Sequence, residues 1–181
     1  MLNYTKSMKL LFAIVAVVIC GLASAQSSQQ QNWKSFSKAN YSIKYPPTWA
    51  IDTSQRMGTT FIVFAPLDSD SDKFQENVNM LTQDLAGQNI TLDDYTKISE
   101  QQINTSITDG KIYESTRIKT AKGEYQKIIF TGTQNGNKLK FEQFYFIKNS
   151  YAFVLTLTTQ ADTFDTYKPI GEQILHSFTI K

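Results

Sequence analysis

Thiols and imidazoles are nearly missing from this chain: one cysteine, Cys20, and one histidine, His176, in 181 residues. Zinc sites built from His and Cys are excluded by that inventory. A Cys–His nucleophile pair would need Cys20, which falls in the expected N-terminal signal, and a Ser–His–Asp arrangement would have to be assembled around His176 alone. His176 sits near the end of a helical pattern, where the helix favours a cation, so it has a reason to be there without catalysis. The eight glycines are scattered, with Gly132 and Gly136 in or beside strand patterns, and form no phosphate-cradling loop. Net charge is lacking too, once the N-terminus is set apart. Residues 1–25 hold two lysines and no acid; without them, sixteen basic residues face sixteen acidic ones. A balanced chain has no electrostatic footprint for nucleic acid.

The one long apolar run is N-terminal. Lys6 and Lys9 precede Leu10–Ile19, and Ala23-Ser24-Ala25 supplies small residues where a signal peptidase reads. The run falls short of the roughly 20 residues needed to span a bilayer. Residues 1–25 therefore read as a cleaved secretory signal, leaving a mature chain without a transmembrane segment. Lipid attachment through Cys20 is the lesser alternative, because Ile19 stands where such signals carry a small residue. Export to a periplasmic or extracellular space is expected. With no disulfide available there, residues 33–181 must stand as one domain on an apolar core, which their number allows. Residues 26–32, QSSQQQN, are polar and aperiodic and read as a short leader.

From Trp33 the pattern is mostly of period two. Tyr41, Ile43 and Tyr45 alternate with Ser42 and Lys44 and predict a strand, ended by Pro46-Pro47, which cannot donate to a ladder. Residues 61–64 and 77–81 are shorter candidates. A meander of four antiparallel strands is predicted over 111–121, 124–133, 138–148 and 151–159, with Asn135-Gly136 suited to a tight hairpin. Two segments switch to helical spacing. Over 91–106 Leu92, Tyr95, Ile98 and Ile103 share a face, with Thr91 as N-cap and Asp93 and Asp94 in the first turn. Over 162–176 Phe164, Tyr167, Ile170 and Ile174 do the same, and Pro169 predicts either a start near Lys168 or a kink. A short strand closes the chain over 177–180. Helices on an antiparallel sheet define an α+β domain.

Read in order, YSIKYPPTWAI (41–51), ENVNM (76–80), TLDDYTKISEQQI (91–103), the 122–159 string KGEYQKIIFTGTQNGNKLKFEQFYFIKNSYAFVLTLTT and ILHSFTI (174–180) resemble the PsbP-like proteins. That superfamily also includes periplasmic DcrB-like proteins and a nuclear Ran-binding factor. The resemblance implies an antiparallel meander flanked by helices, an α/β/α sandwich. It also implies that Trp49 folds back over the core at a strand-to-turn corner. A ligand-facing Trp49 is the alternative, since aromatics beside irregular backbone also line pockets. No activity is implied, because members bind a photosystem, a small GTPase or nothing identified and share no catalytic motif.

Two surface features carry possible chemistry. Asp68, Asp70 and Asp72 alternate, with Glu76 close behind, and alternating acids in a loop can converge on calcium. The spacing copies the first half of an EF-hand loop, but Lys73 replaces the turn glycine and Asn79 the closing glutamate. A solvated acidic loop is the simpler reading. Charge is also uneven: residues 62–110 hold nine acids and two bases, residues 111–148 eight bases and three acids. Lys127, Lys138 and Lys140 would present a docking surface or only the wet face of the sheet. Three functional readings follow. The first is a non-catalytic, monomeric exported binding or interaction module whose partner is a protein or envelope component. The second is a calcium-binding envelope protein using Asp68, Asp70 and Asp72, and the third an enzyme of unknown type.

Overall fold

The computed structural model describes residues 32–121 and 123–181. The expected signal, Cys20 and the leader up to Gln31 lie outside them. Two sheets and two helices build the domain. The small sheet joins β1 (Lys34–Ser37), β2 (Tyr41–Tyr45) and β10 (Thr179–Ile180), with β2 in the centre. The large sheet contains β3 (Ala50–Asp52), β4 (Phe61–Phe64), β5 (Asn77–Asp84), β6 (Lys111–Thr120), β7 (Gly123–Gln134), β8 (Asn137–Lys148) and β9 (Tyr151–Gln160). Its order is β3-β4-β5-β9-β8-β7-β6, antiparallel throughout. The predicted meander is β6 to β9. Strands β1 and β3, four and three residues long, were too short to show a period.

The turns obey the local chemistry. Asn135 and Gly136 both have positive φ, 51° and 81°, as a two-residue hairpin between β7 and β8 requires. The next hairpin repeats this with Asn149 and Ser150, at 53° and 61°. Helix α1 (Leu92–Ser106) opens with a capping box: Thr91 Oγ1 accepts from Asp94 N–H, and Asp94 Oδ2 accepts from Thr91 N–H. Helix α2 (Phe164–His176) begins earlier than its proline suggests. Pro169 lies on the exposed side, so the Asp165 carbonyl it cannot serve can meet water.

One face of the large sheet is fully covered. Phe61, Val63, Val78, Met80, Phe144, Phe153, Leu155 and Leu157 pack there against α2 and the small sheet. The fit is close enough that a Cβ on Gly171 of α2 would stand 2.5 Å from Leu157. Trp49 belongs to this layer. Its N–H closes a turn on the Pro46 carbonyl at 3.1 Å, and its indole is 5% exposed, meeting Tyr167 edge to face at 6.4 Å. The YPPTW corner is therefore a core element and not a cleft wall. Truncation there deletes a large buried ring: Trp49→Ala is expected to cost about 3–5 kcal/mol, read from urea denaturation midpoints.

A charged cluster lies on the same face, with Glu142 at its buried end. Glu142 on β8 is 0% exposed, and neither carboxyl oxygen takes a hydrogen bond. Lys127 Nζ lies 3.4 Å from Glu142, 3.4 Å from Glu172 of α2 and 3.5 Å from Glu114. Burial and the Glu172 carboxylate push the Glu142 carboxyl up to about 7, against the pull of Lys127. Unfolded, the group loses its proton near 4.5. The native state therefore holds the extra proton between these values, so stability falls as pH rises through that window and levels off above it. Glu142→Gln is expected to flatten this fall and to stabilise the protein at pH 8 by on the order of 1–2 kcal/mol, measured by urea unfolding across pH 4–9.

Candidate functional site

The opposite face of the large sheet is only half covered. Helix α1 packs over β6, β7 and β8, placing Ile103, Leu92 and Tyr95 against Ile128, Phe130, Tyr145 and Val154. Ile98, at helical spacing from these, points away and is 45% exposed. Nothing among the described residues packs in the same way over β4, β5 and β9. The antiparallel register aligns their side chains in rows across the strands. One row runs Phe64, Asn77, Thr158, Phe141, Phe130; the next runs Ile62, Asn79, Thr156, Gln143, Ile128. A strip of amides and hydroxyls is thereby flanked by Phe64 on one side and by stacked Phe130 and Phe141, 4.7 Å apart, on the other.

Side walls turn this face into a groove. After α1 the chain is pinned to β7: Thr133 N–H donates to the Thr108 carbonyl at 2.7 Å, and Thr133 Oγ1 donates to Asp109 at 2.8 Å. Gly132 permits that approach, because a Cβ there would stand 2.4 Å from Ile107 Cγ2. Across the groove, residues 55–58 form a tight turn with Gln55, Met57 and Gly58 at positive φ, which leaves Met57 81% exposed on the rim. The space between is about 630 Å³. A second hollow of about 410 Å³ beneath α1 abuts it, the two sharing Leu81, Ile107, Phe130 and Gln143.

No Asp, Glu, Lys, Arg or His lines either hollow, among the described residues. Such residues make up 19% of the chain even without histidine, so a lining this long is depleted well beyond composition. The floor is held in place by its own hydrogen bonds. Asn79 Nδ2 donates to Asn77 Oδ1 at 3.2 Å, Asn77 Nδ2 to the Gln75 carbonyl at 3.2 Å, and Gln143 Nε2 to Thr156 Oγ1 at 3.0 Å. Gln143 Oε1 accepts from the Tyr145 hydroxyl, whose phenol burial holds protonated. Among the described residues, the Thr158 hydroxyl and Asn79 Oδ1 have no hydrogen-bond partner. The groove can therefore bind by shape and neutral hydrogen bonds, with no group in it to exchange a proton near neutral pH.

The residues singled out in the sequence lie elsewhere. Asp68 accepts from the Tyr167 hydroxyl at 2.7 Å, while Asp72 accepts from the backbone N–H groups of Asp68 and Phe74 at 3.1 and 3.0 Å. Asp70 is exposed, and Glu76 is buried with Thr163 donating to it at 2.6 Å. These acids serve the loop and its seam with α2. Among the described residues no three acidic, His or Cys side chains gather closely enough to hold a metal ion. Lys127 is not on a docking surface, since three carboxylates hold it beneath α2; Lys140 reaches over the Phe164 ring at 4.1 Å, and Lys138 is exposed. His176 is exposed but rests against the edges of Phe144 and Tyr125, and the partial desolvation of its ring there lowers its basicity.

The groove residues went unnoticed in the sequence because each reads as the wet half of an ordinary alternation. Asn77 and Asn79 alternate with Val78 and Met80, and Thr156 and Thr158 with Leu155 and Leu157. The only signal was that these outward positions carry amides and threonines without a single charge.

This is a sheet-and-helix α+β domain with a ligand-sized neutral groove, a class defined by architecture and not by catalytic residues. Solved structures place its fold. The chain is similar to cyanobacterial PsbP (CyanoP) from Synechocystis at TM-score 0.63 and 14% identity, over 82% of this chain and 92% of that one. It is similar to LpqN of Mycobacterium tuberculosis, described as involved in cell envelope biogenesis, at TM-score 0.58 and 11% identity, over 86% and 96%. It is also similar to PA94 of Pseudomonas aeruginosa, a protein of unknown function, at TM-score 0.58 and 13% identity, over 80% and 94%. No family model and no curated protein sequence matches the chain. The fold is thus PsbP-like, as the motifs suggested. With Asp68 and Asp72 committed to protein donors, millimolar calcium is expected to leave the melting temperature unchanged in differential scanning fluorimetry; a rise would restore the acidic loop as a cation site.

Proposed function

We propose that the protein is an exported, non-catalytic binding module of the cell envelope whose ligand lies in the uncharged groove. The observation that carries this reading is the groove itself, a concave surface of ligand size on an otherwise charged protein, with its polar groups fixed by one another. Two further points support it. The strongly perturbed carboxyl, Glu142, is sealed from solvent and lines no cavity, so its shift belongs to packing. The N-terminal sequence has the form of a secretory signal, and LpqN, similar in fold, is described as involved in cell envelope biogenesis.

Leu81 gives the test. It is 41% exposed, lines both hollows and stands on β5 beside the polar strip, so a carboxylate there would sit in the groove without displacing core. Leu81→Glu is expected to abolish retention of ligand from an envelope extract while changing stability by less than about 1 kcal/mol. Lys119→Glu, on the exposed edge strand β6, should retain it as the parent does. Equal retention by Leu81→Glu and the parent would remove the groove from consideration.

A further inference from the structure

The groove's lining also selects among ligand chemistries, and we infer that it takes a neutral glycan, a short uncharged oligosaccharide lying across the Asn77–Asn79–Gln143 floor between Phe64 and Phe141. This rests on the binding-module reading above. Each competing class conflicts with a feature of the floor. An ionic ligand would be stripped of water with no opposite charge among the lining residues to meet it. A lipid acyl chain would cover Asn79 Oδ1 and the Thr158 hydroxyl, which have no partner among the described residues, and would leave them dry and unpaired. An extended peptide binds most strongly by adding a strand to a sheet edge. The floor consists instead of β4, β5, β9 and β8, whose backbone groups are already paired on both sides.

A pyranose matches what is left. Its hydroxyls donate and accept, as do the carboxamides of Asn79 and Gln143 and the hydroxyls of Thr156 and Thr158. Its C–H face is apolar and suits the phenylalanine rings and the side chains of Met57 and Leu81 on the rim. From β4 to β8 the floor spans three strand spacings, about 14 Å, which suits a short run of rings. The amides are already held by one another, so little ordering is required of the protein on binding.

The test follows backbone amide resonances of the isotopically labelled full chain. The neutral probes are cellohexaose, maltohexaose and chitohexaose. The comparison probes are a hexauronate, monolaurin and a terminally blocked Gly-Ser-Gln peptide. Saturable shifts at Asn79, Gln143 and Thr158 with at least one neutral hexasaccharide are expected. Asn79→Ala and Thr158→Val should each weaken that binding about tenfold. Thr158→Val removes a hydroxyl with no partner among the described residues, so its melting temperature should stay at or above that of the parent. A purely structural role would instead lower the melting temperature and leave affinity alone. Shifts only with the uronate, monolaurin or peptide would overturn the glycan and keep the groove as a binding site, as would silence from all six probes while Leu81→Glu still loses its extract ligand. Silence together with an unaffected Leu81→Glu would overturn both readings. Concentration-dependent dimerisation that Leu81→Glu abolishes would assign the groove to a second copy of the chain and overturn the glycan.

Discussion

A sheet of seven strands has two faces, and the described residues supply covering elements for about one and a half of them. Everything specific about the structure descends from that shortfall. Helix α2 and the three-stranded sheet take one face entirely, burying Trp49, Phe164 and Leu175 against Phe61, Val78 and Leu157. Helix α1 reaches only the β6–β8 side of the other. What is left over β4, β5 and β9 must be tolerable to water yet flat enough to sit at the sheet's centre. Asparagine, glutamine and threonine meet both conditions, and their register turns a structural remainder into an ordered polar strip.

The two faces handle charge in opposite ways. Behind α2, Glu142 is taken out of water beside the nearly buried Lys127, with the partly exposed Glu114 and Glu172 at the edge of the cluster, and the placement of Glu142 costs stability as the pH rises. A charge so placed fixes how the helix sits on the sheet but presents nothing outward. The groove does the reverse, presenting a broad surface from which charge is absent. A perturbed carboxyl in this protein is thus a mark of packing, and the groove is marked by groups that do not titrate.

The corner at residues 45–49 shows why a motif can point the wrong way. Two prolines and a tryptophan beside irregular backbone suit a cleft wall as well as a core turn, and local sequence does not separate them. Burial decided, because the small sheet and α2 close over the indole. Lys127 is the converse case. As a lysine in an alternating strand it read as surface, and only the arrival of Glu172 on a helix forty-five residues later buried it. Pro169 left a late start or a kink open, and the helix runs through it from Phe164 with the proline on the exposed side.

Period-two and period-3.6 patterns, capping at Thr91 and the Asn135-Gly136 turn are local properties, with energies set by neighbours along the chain. Most of the elements, the β6–β9 meander and the α+β class could accordingly be read from sequence alone. Which wet faces would lie side by side depended on β5 pairing with β9 across some seventy residues. Which of them α1 would cover depended on Gly132 letting the loop at Ile107 come close to β7. Those are long-range contacts between residues that look ordinary in their own strands. The groove, the buried ion cluster and the fate of the acidic loop were therefore decided by tertiary structure alone.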